Sequence, residues 1–283
     1  MESCDSVGVR IDALTHVTPD GRWFATGYDA SETNLLRQLD AAGIQSAAVV
    51  ALADYVSNDF VIELCSRNDG RLLPVGGFNA AAWSTTARVV LEARSQLRDA
   101  GLLGIKLHPR FHRYDPLDSR VLALLEEMAA WSASPAIWIC TMFHYRNGTL
   151  RKGPVEAIYE LVNSFPRLRF VLAHGGGPDL LRLATALRPC PNAMLDLSFT
   201  LVHFAGSSVE TDLRYLLDCF DRRLVFGSDF PEVAVMAART ALERVGAEAK
   251  PGAVARVLGQ NLADFLELKP NEALPPSPER ELR

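Results

Sequence analysis

The chain has 283 residues, 48% hydrophobic and 22% charged, which allows one large core inside a solvated surface. A net charge of −5 at pH 7 gives no basic field for a phosphate backbone and argues against nucleic acid as a partner. Five scattered cysteines without a CxxC pair argue against a disulfide framework or a thiolate zinc knuckle, and no signal peptide or membrane span is visible, so a cytoplasmic protein is expected.

In chain order, short apolar runs alternate with amphipathic stretches. The first run, 9–16, leads into a long loop, 17–30, with Trp23, Phe24 and Tyr28, and then a helix with apolar residues at Leu35, Leu36 and Leu39. Runs at 47–53, 72–79 and 103–108 follow. The last of these enters HPRFHRYDP, with Arg110 and Arg113, ahead of a helix on Val121, Leu124, Leu125 and Met128 that Asp118 or Ser119 can cap. Run 136–143 precedes FHYRNGTLRKGP, with His144, Arg146, Arg151 and Lys152, and a helix on Val155, Ile158 and Val162. Run 170–174 ends in His174, and Pro178 after three glycines opens the next helix. Runs 193–199 and 224–229 complete the set, and the last helix, with Asn261, ends near Leu268. Residues 269–283 carry proline and charge without periodicity and read as a disordered tail.

Each run has the length of a strand buried on both faces. Eight of them alternating with helices predict an α/β protein with a single (β/α)₈ barrel over residues 1–268, the alternative being a doubly wound open sheet. Chemistry in such a barrel sits at the C-terminal ends of the strands. All six histidines fall there: His16, His108, His112, His144, His174 and His203. Alternation places Arg10, Asp12, Leu14 and His16 on one face, Lys106 with His108, and Gly227 with Asp229. His16, His174 and Asp229 would then converge at the mouth, a set that suits a divalent ion or metal-free acid–base work. Packing roles compete with this. His112 and His203 fit loop histidines, Asp229 fits a helix cap, and Lys106 fits an internal ion pair with Asp12 or Asp229.

Guanidinium forks suit carboxylates, so a small anionic substrate is expected, with Lys106, His108, Arg110, His144 and Arg146 as its candidate contacts. The aromatic loop 17–30 either closes as a lid or packs on a second copy in a homo-oligomer.

The motifs IDALTH (11–16), GIKLHP (104–109), FVLAHGGG (170–177), LDLS (195–198), FGSDFP (226–231) and GQNLADFL (259–266) occur in an order that resembles the amidohydrolase superfamily. The similarity is to the branch containing aminocarboxymuconate-semialdehyde decarboxylase and related hydrolases and lyases of small organic acids. It implies a barrel in which two strand 1 histidines, a strand 5 histidine and a strand 8 aspartate bind metal, while a strand 6 histidine polarises the substrate. By position, His16 matches the second strand 1 histidine, His174 the strand 6 histidine and Asp229 the aspartate. Leu14 stands where the first ligand belongs, and Cys140 where the strand 5 histidine belongs. Leucine has no lone pair, so the usual four-ligand site cannot form. A rebuilt site on His16, Asp229 and either Cys140 or His174, with zinc as the expected ion, is one expectation. A second is a metal-independent hydrolase, like the superfamily's pyrone-dicarboxylate lactonase, with Asp229 as base and His16, His174 and Lys106 at the developing oxyanion. A third is a barrel without catalysis, serving as a binding or regulatory subunit. The expected reaction is hydrolysis of a lactone, ester or amide of a small carboxylated compound, with decarboxylation of a small unsaturated acid as the alternative.

Overall fold

The computed structural model describes residues 8–143 and 153–268. Eight parallel strands run in sequence order around one sheet. They are β1 (Ile11–Thr15), β2 (Ser46–Val50), β3 (Leu72–Gly77), β4 (Gly104–Leu107), β5 (Ala136–Cys140), β6 (Phe170–Ala173), β7 (Ala193–Asp196) and β8 (Leu224–Val225). Bonds from Ala13 N to Phe226 O (2.9 Å), Asp229 N to Leu14 O (2.9 Å) and His16 N to Phe230 O (2.7 Å) join β1 to the end of β8 and the segment after it. The sheet thereby closes into a (β/α)₈ barrel, as the alternation predicts. Among the described residues no helix is long and apolar enough to cross a membrane.

The principal helices cover the outside: α1 (Glu32–Ala41), α2 (Asn58–Ser66), α3 (Thr86–Leu97), α4 (Pro109–His112), α5 (Ser119–Ala129) and α6 (Pro154–Ser164) in the first part. They continue with α7 (Leu180–Ala186), α8 (Thr200–His203), α9 (Ser208–Cys219), α10 (Val235–Val245), α11 (Ala253–Leu258) and α12 (Gln260–Leu266). Asp118 caps α5 by accepting from Arg120 N, whereas Pro178 lies inside a tight turn after β6 and α7 begins only at Leu180.

Alternation along the strands divides the core in two. Ala47, Val49, Ile105, Leu107, Ile137 and Ile139 face the helices. Ala48, Val50, Val75, Trp138 and Val171 fill the barrel interior. The Trp138 ring lies so close to β4 that a Cβ on Gly104 would meet it at 2.1 Å, so only glycine leaves room there. Its Nε1 donates to Ala13 O at 2.9 Å.

Strand β1 departs from simple alternation. Asp12 pairs with Ala47, but Thr15 pairs with Val49, so β1 carries one residue more than β2 across that interval. Leu14 therefore joins the inner cluster with Ile11 and Ala13. Asp12 does not share its face, contrary to the expectation from a strict two-residue period. Its Oδ1 accepts from Leu14 N (3.1 Å) and Ser228 N (2.9 Å), which ties β1 to the chain after β8. Burial pushes the Asp12 carboxyl up to about 7.

Candidate active site

A cavity of about 440 Å³ opens at the C-terminal ends of the strands, and its walls include His16, Lys106, His108, Arg110, His174 and Asp229. Every described residue expected to act in catalysis or to hold substrate thus lines one pocket. The sequence placed them on four separate strand ends, and the barrel brings them together. A larger cavity of about 760 Å³ lies over α2 and β3, and none of the described histidines lines it.

Asp229 sits between two imidazoles. Its Oδ1 is 3.7 Å from His16 Nε2, and its Oδ2 is 4.0 Å from His174 Nδ1. Both separations exceed hydrogen-bonding range, so the carboxyl is near these rings without being consumed by them. The backbone achieves this with unusual conformations: φ is 67° at Asp229 and 68° at His174, the left-handed region that non-glycine residues rarely occupy. Bonds from Asp229 N to Leu14 O and from His174 N to Asp196 Oδ2 (3.2 Å) hold them there. The side chain of Asp229 does not cap α10, which begins at Val235, six residues on.

Hydrogen bonds fix what each histidine offers. His16 Nδ1 donates to Val50 O at 2.8 Å, which leaves Nε2 as a lone pair facing Asp229. Ser198 Oγ donates its single proton to Asp196, so it accepts from His174 Nδ1 at 3.1 Å and leaves Nε2 of that ring unprotonated. His108 is the reverse case. Its Nδ1 accepts from Phe111 N at 3.3 Å at the start of α4, so its proton is on Nε2. Of the three rings, His108 alone keeps its proton on Nε2, while the protons of His16 and His174 are engaged with Val50 O and Ser198 Oγ.

Burial sets the charges. Desolvation, with Glu232 and Asp196 nearby, pushes the Asp229 carboxyl up to about 8, against the opposing pull of Lys106. Desolvation and the Lys106 ammonium push His16 down to about 3, and desolvation, Lys106 and Arg110 hold His108 and His174 well below the usual imidazole value. All three rings are accordingly neutral. Burial also lowers Lys106, which is 2% exposed and forms no ion pair among the described residues. The expected pairing of Lys106 with Asp12 or Asp229 is not made.

The aromatic loop 17–30 and the end of β7 supply further parts of the site. Trp23, from the loop 17–30, is 3% exposed and stacks on His16 with ring centroids 4.8 Å apart, while its Nε1 donates to Glu232 at 2.9 Å. Phe24 stacks on Tyr55 at 4.2 Å and, with Phe111, forms the pocket's apolar rim; Tyr28 does not line it. Asp196 and Ser198 stand behind His174, and the LDLS motif at the end of β7 was their only sequence signal. Gly227 lets them approach, since a Cβ there would meet Asp196 at 2.2 Å. His112 bonds to Ala53 O at 3.1 Å and His203 stacks on Phe199 at 3.6 Å, so both are packing residues. His144 and Arg146, with Arg151 and Lys152, lie outside the described residues.

The residues present do not fit the divalent ion that the resemblance implies. Leu14 fills one ligand position with fully buried hydrocarbon, and the Lys106 ammonium in the same pocket repels a dication. Among the described residues no three His, Cys, Asp or Glu side chains are arranged to hold a metal. The ligand set expected from His16, Cys140 and Asp229 is thus not assembled: Cys140 is fully buried and is not a wall of the cavity.

The family model described as "Amidohydrolase" matches residues 11–268. No curated protein matches the chain. Among solved structures, an uncharacterized TIM-barrel protein from Bordetella bronchiseptica superposes with a TM-score of 0.71 at 17% identity, covering 91% of this chain and 98% of that one. A proposed 2-pyrone-4,6-dicarboxylic acid hydrolase from Pseudomonas putida gives 0.64 at 21% identity over 94% and 99%. The 5-carboxyvanillate decarboxylase of Sphingomonas paucimobilis gives 0.65 at 16% identity over 92% and 99%.

Proposed function

The chain belongs to the amidohydrolase family, and from that premise we propose that it hydrolyses a lactone, ester or amide of a small carboxylated compound without using a metal. Divalent ions are common in the superfamily, but the residues of this pocket offer an organic cation in their place. The observation that carries the reading is the placement of Asp229 between His16 Nε2 and His174 Nδ1, at 3.7 and 4.0 Å, inside a pocket that also holds Lys106.

The steps follow from the proton inventory. The substrate carboxylate binds Arg110, whose half-buried guanidinium lines the pocket. A water donates one proton towards Asp229 and its other towards the lone pair of His16 Nε2, which orients its oxygen for attack. As the carbon–oxygen bond forms, Asp229 takes the proton, and negative charge gathers on the former carbonyl oxygen. Lys106 and the Nε2–H of His108 stabilise that charge in a site largely screened from solvent. Collapse of the adduct expels the leaving group, which recovers the proton from Asp229. A base with a pKa near 8 suits this cycle, because it is strong enough to take a proton and weak enough to return it.

The same raised carboxyl favours a second reading. A protonated Asp229 is an acid at neutral pH, and decarboxylation requires one to protonate the carbon that loses CO₂. The sign of the pH dependence separates the two. Replacing Asp229 by Asn and measuring turnover over a panel of lactones, esters and carboxylated aromatics tests both. Unchanged turnover in that variant would defeat them together.

A further inference from the structure

Only four of the chain's 29 basic residues are lysines: Lys106, Lys152, Lys250 and Lys269. Its other cations are arginines, such as Arg67, Arg94 and Arg120 in their ion pairs. A guanidinium supplies charge but stays protonated, whereas an ammonium can release a proton and become a nucleophile. Lys250 is committed, with its ammonium 2.7 Å from Asp221 and 2.7 Å from the Asp218 carbonyl. Lys106 is not. It is buried at the end of β4, faces the cavity and has no carboxylate within 4.0 Å among the described residues.

The surroundings match what an amine needs for condensation with a ketone. Arg110 stands in the same pocket to hold a carboxylate, and Asp229 and His174 stand there to move protons. We propose that Lys106 forms a protonated imine with 2-oxo acids, giving this pocket a carbonyl-condensing activity beside hydrolysis. Lys106 first gives one proton to a pocket base. Its Nζ lone pair then bonds to the ketone carbon while the carbonyl oxygen takes a proton. The nitrogen of the adduct then gives up a second proton to a pocket base and so regains a lone pair. A second proton on the oxygen lets it leave as water, and that lone pair closes the C=N bond. In sum, an ammonium and a ketone give a protonated imine and one water, with no change of oxidation state. The cationic nitrogen draws electrons from the adjacent carbon, so a proton there becomes removable by Asp229.

The inference does not rest on hydrolysis, and its test reads the amine directly. The full chain is incubated with pyruvate and sodium borohydride, and its intact mass is measured. The expected result is a mass gain of one reduced pyruvyl group, dependent on both reagents and mapping to the peptide that contains Lys106. Lys106→Arg should abolish the gain, and Lys250→Arg should keep it. In the absence of borohydride, the unaltered protein should also speed exchange of the pyruvate methyl protons with deuterated water. No mass gain, or a gain that maps to another lysine or persists in Lys106→Arg, overturns the proposal. Should Lys106→Arg not fold, peptide mapping of the unaltered protein decides the matter alone.

Discussion

The lone pair of His16 Nε2 faces Asp229 Oδ1 across 3.7 Å, because the opposite nitrogen of the ring is tied to Val50 O. Two acceptors aimed at one small space define where a water with two protons to donate would stand. Asp229→Asn keeps the shape and loses the basicity. Turnover should fall by about 10²–10⁴-fold, the usual effect of losing a general base, while circular dichroism stays native. Steady-state rates and spectra of the two proteins check this.

The pH profile should follow the same carboxyl. Hydrolysis needs its ionised form, so kcat/KM should rise with pH through about 8 and then level. Decarboxylation needs the protonated form and should fall through the same range. Stability moves in the opposite sense to hydrolysis. The folded carboxyl holds its proton above the ordinary value of 3.8, so its contribution is full below that pH and is lost as pH rises through about 8. Asp229→Asn lacks this loss. Its melting temperature should exceed that of the unaltered protein increasingly from pH 4 to pH 9, as scanning calorimetry across that range will show.

Ser198 is placed to orient His174 rather than to touch substrate. Ser198→Ala removes the donor to Asp196 and the acceptor for His174 Nδ1, both buried. A destabilisation of about 1–3 kcal/mol is expected from polar groups left short of partners. With the ring freed, kcat should drop more than KM rises. Denaturant titration and a kcat–KM split together test the assignment, and Ser198→Thr should recover part of both.

Arg110→Met should raise KM for a carboxylated substrate by roughly 10- to 100-fold, the worth of a hydrogen-bonded charge, with kcat little changed. The neutral methyl ester of the same substrate should bind both proteins alike. A variant that retains its KM would remove Arg110 from the binding role.

Metal affinity should be low for the protein as it stands. Elemental analysis of material purified without added metal should find less than stoichiometric zinc, and a chelator should leave the rate unchanged. Leu14→His restores a lone pair at the inner end of β1, and Lys106→Met in the same chain removes the competing ammonium. Zinc occupancy should increase in that order. Tight zinc in the unaltered protein would overturn the account of Leu14 and Lys106.

Much of this protein could be read from local pattern alone. Apolar runs at strand length, alternating with helical periodicity, specify the barrel because burial on both faces demands such runs. The side chains His16, Lys106, His108, His174 and Asp229 lie at strand ends by position, and the missing lone pair at Leu14 is a matter of residue identity. Tertiary structure decided the rest. The extra residue in β1 turned Asp12 away from the mouth, because register depends on the partner strand. Trp23 reached His16 from a loop whose path no periodicity encodes. The ring nitrogens of His16, His108 and His174 took their roles from Val50 O, Phe111 N and Ser198 Oγ. Each of these is a through-space contact or a backbone geometry, and a linear pattern carries neither.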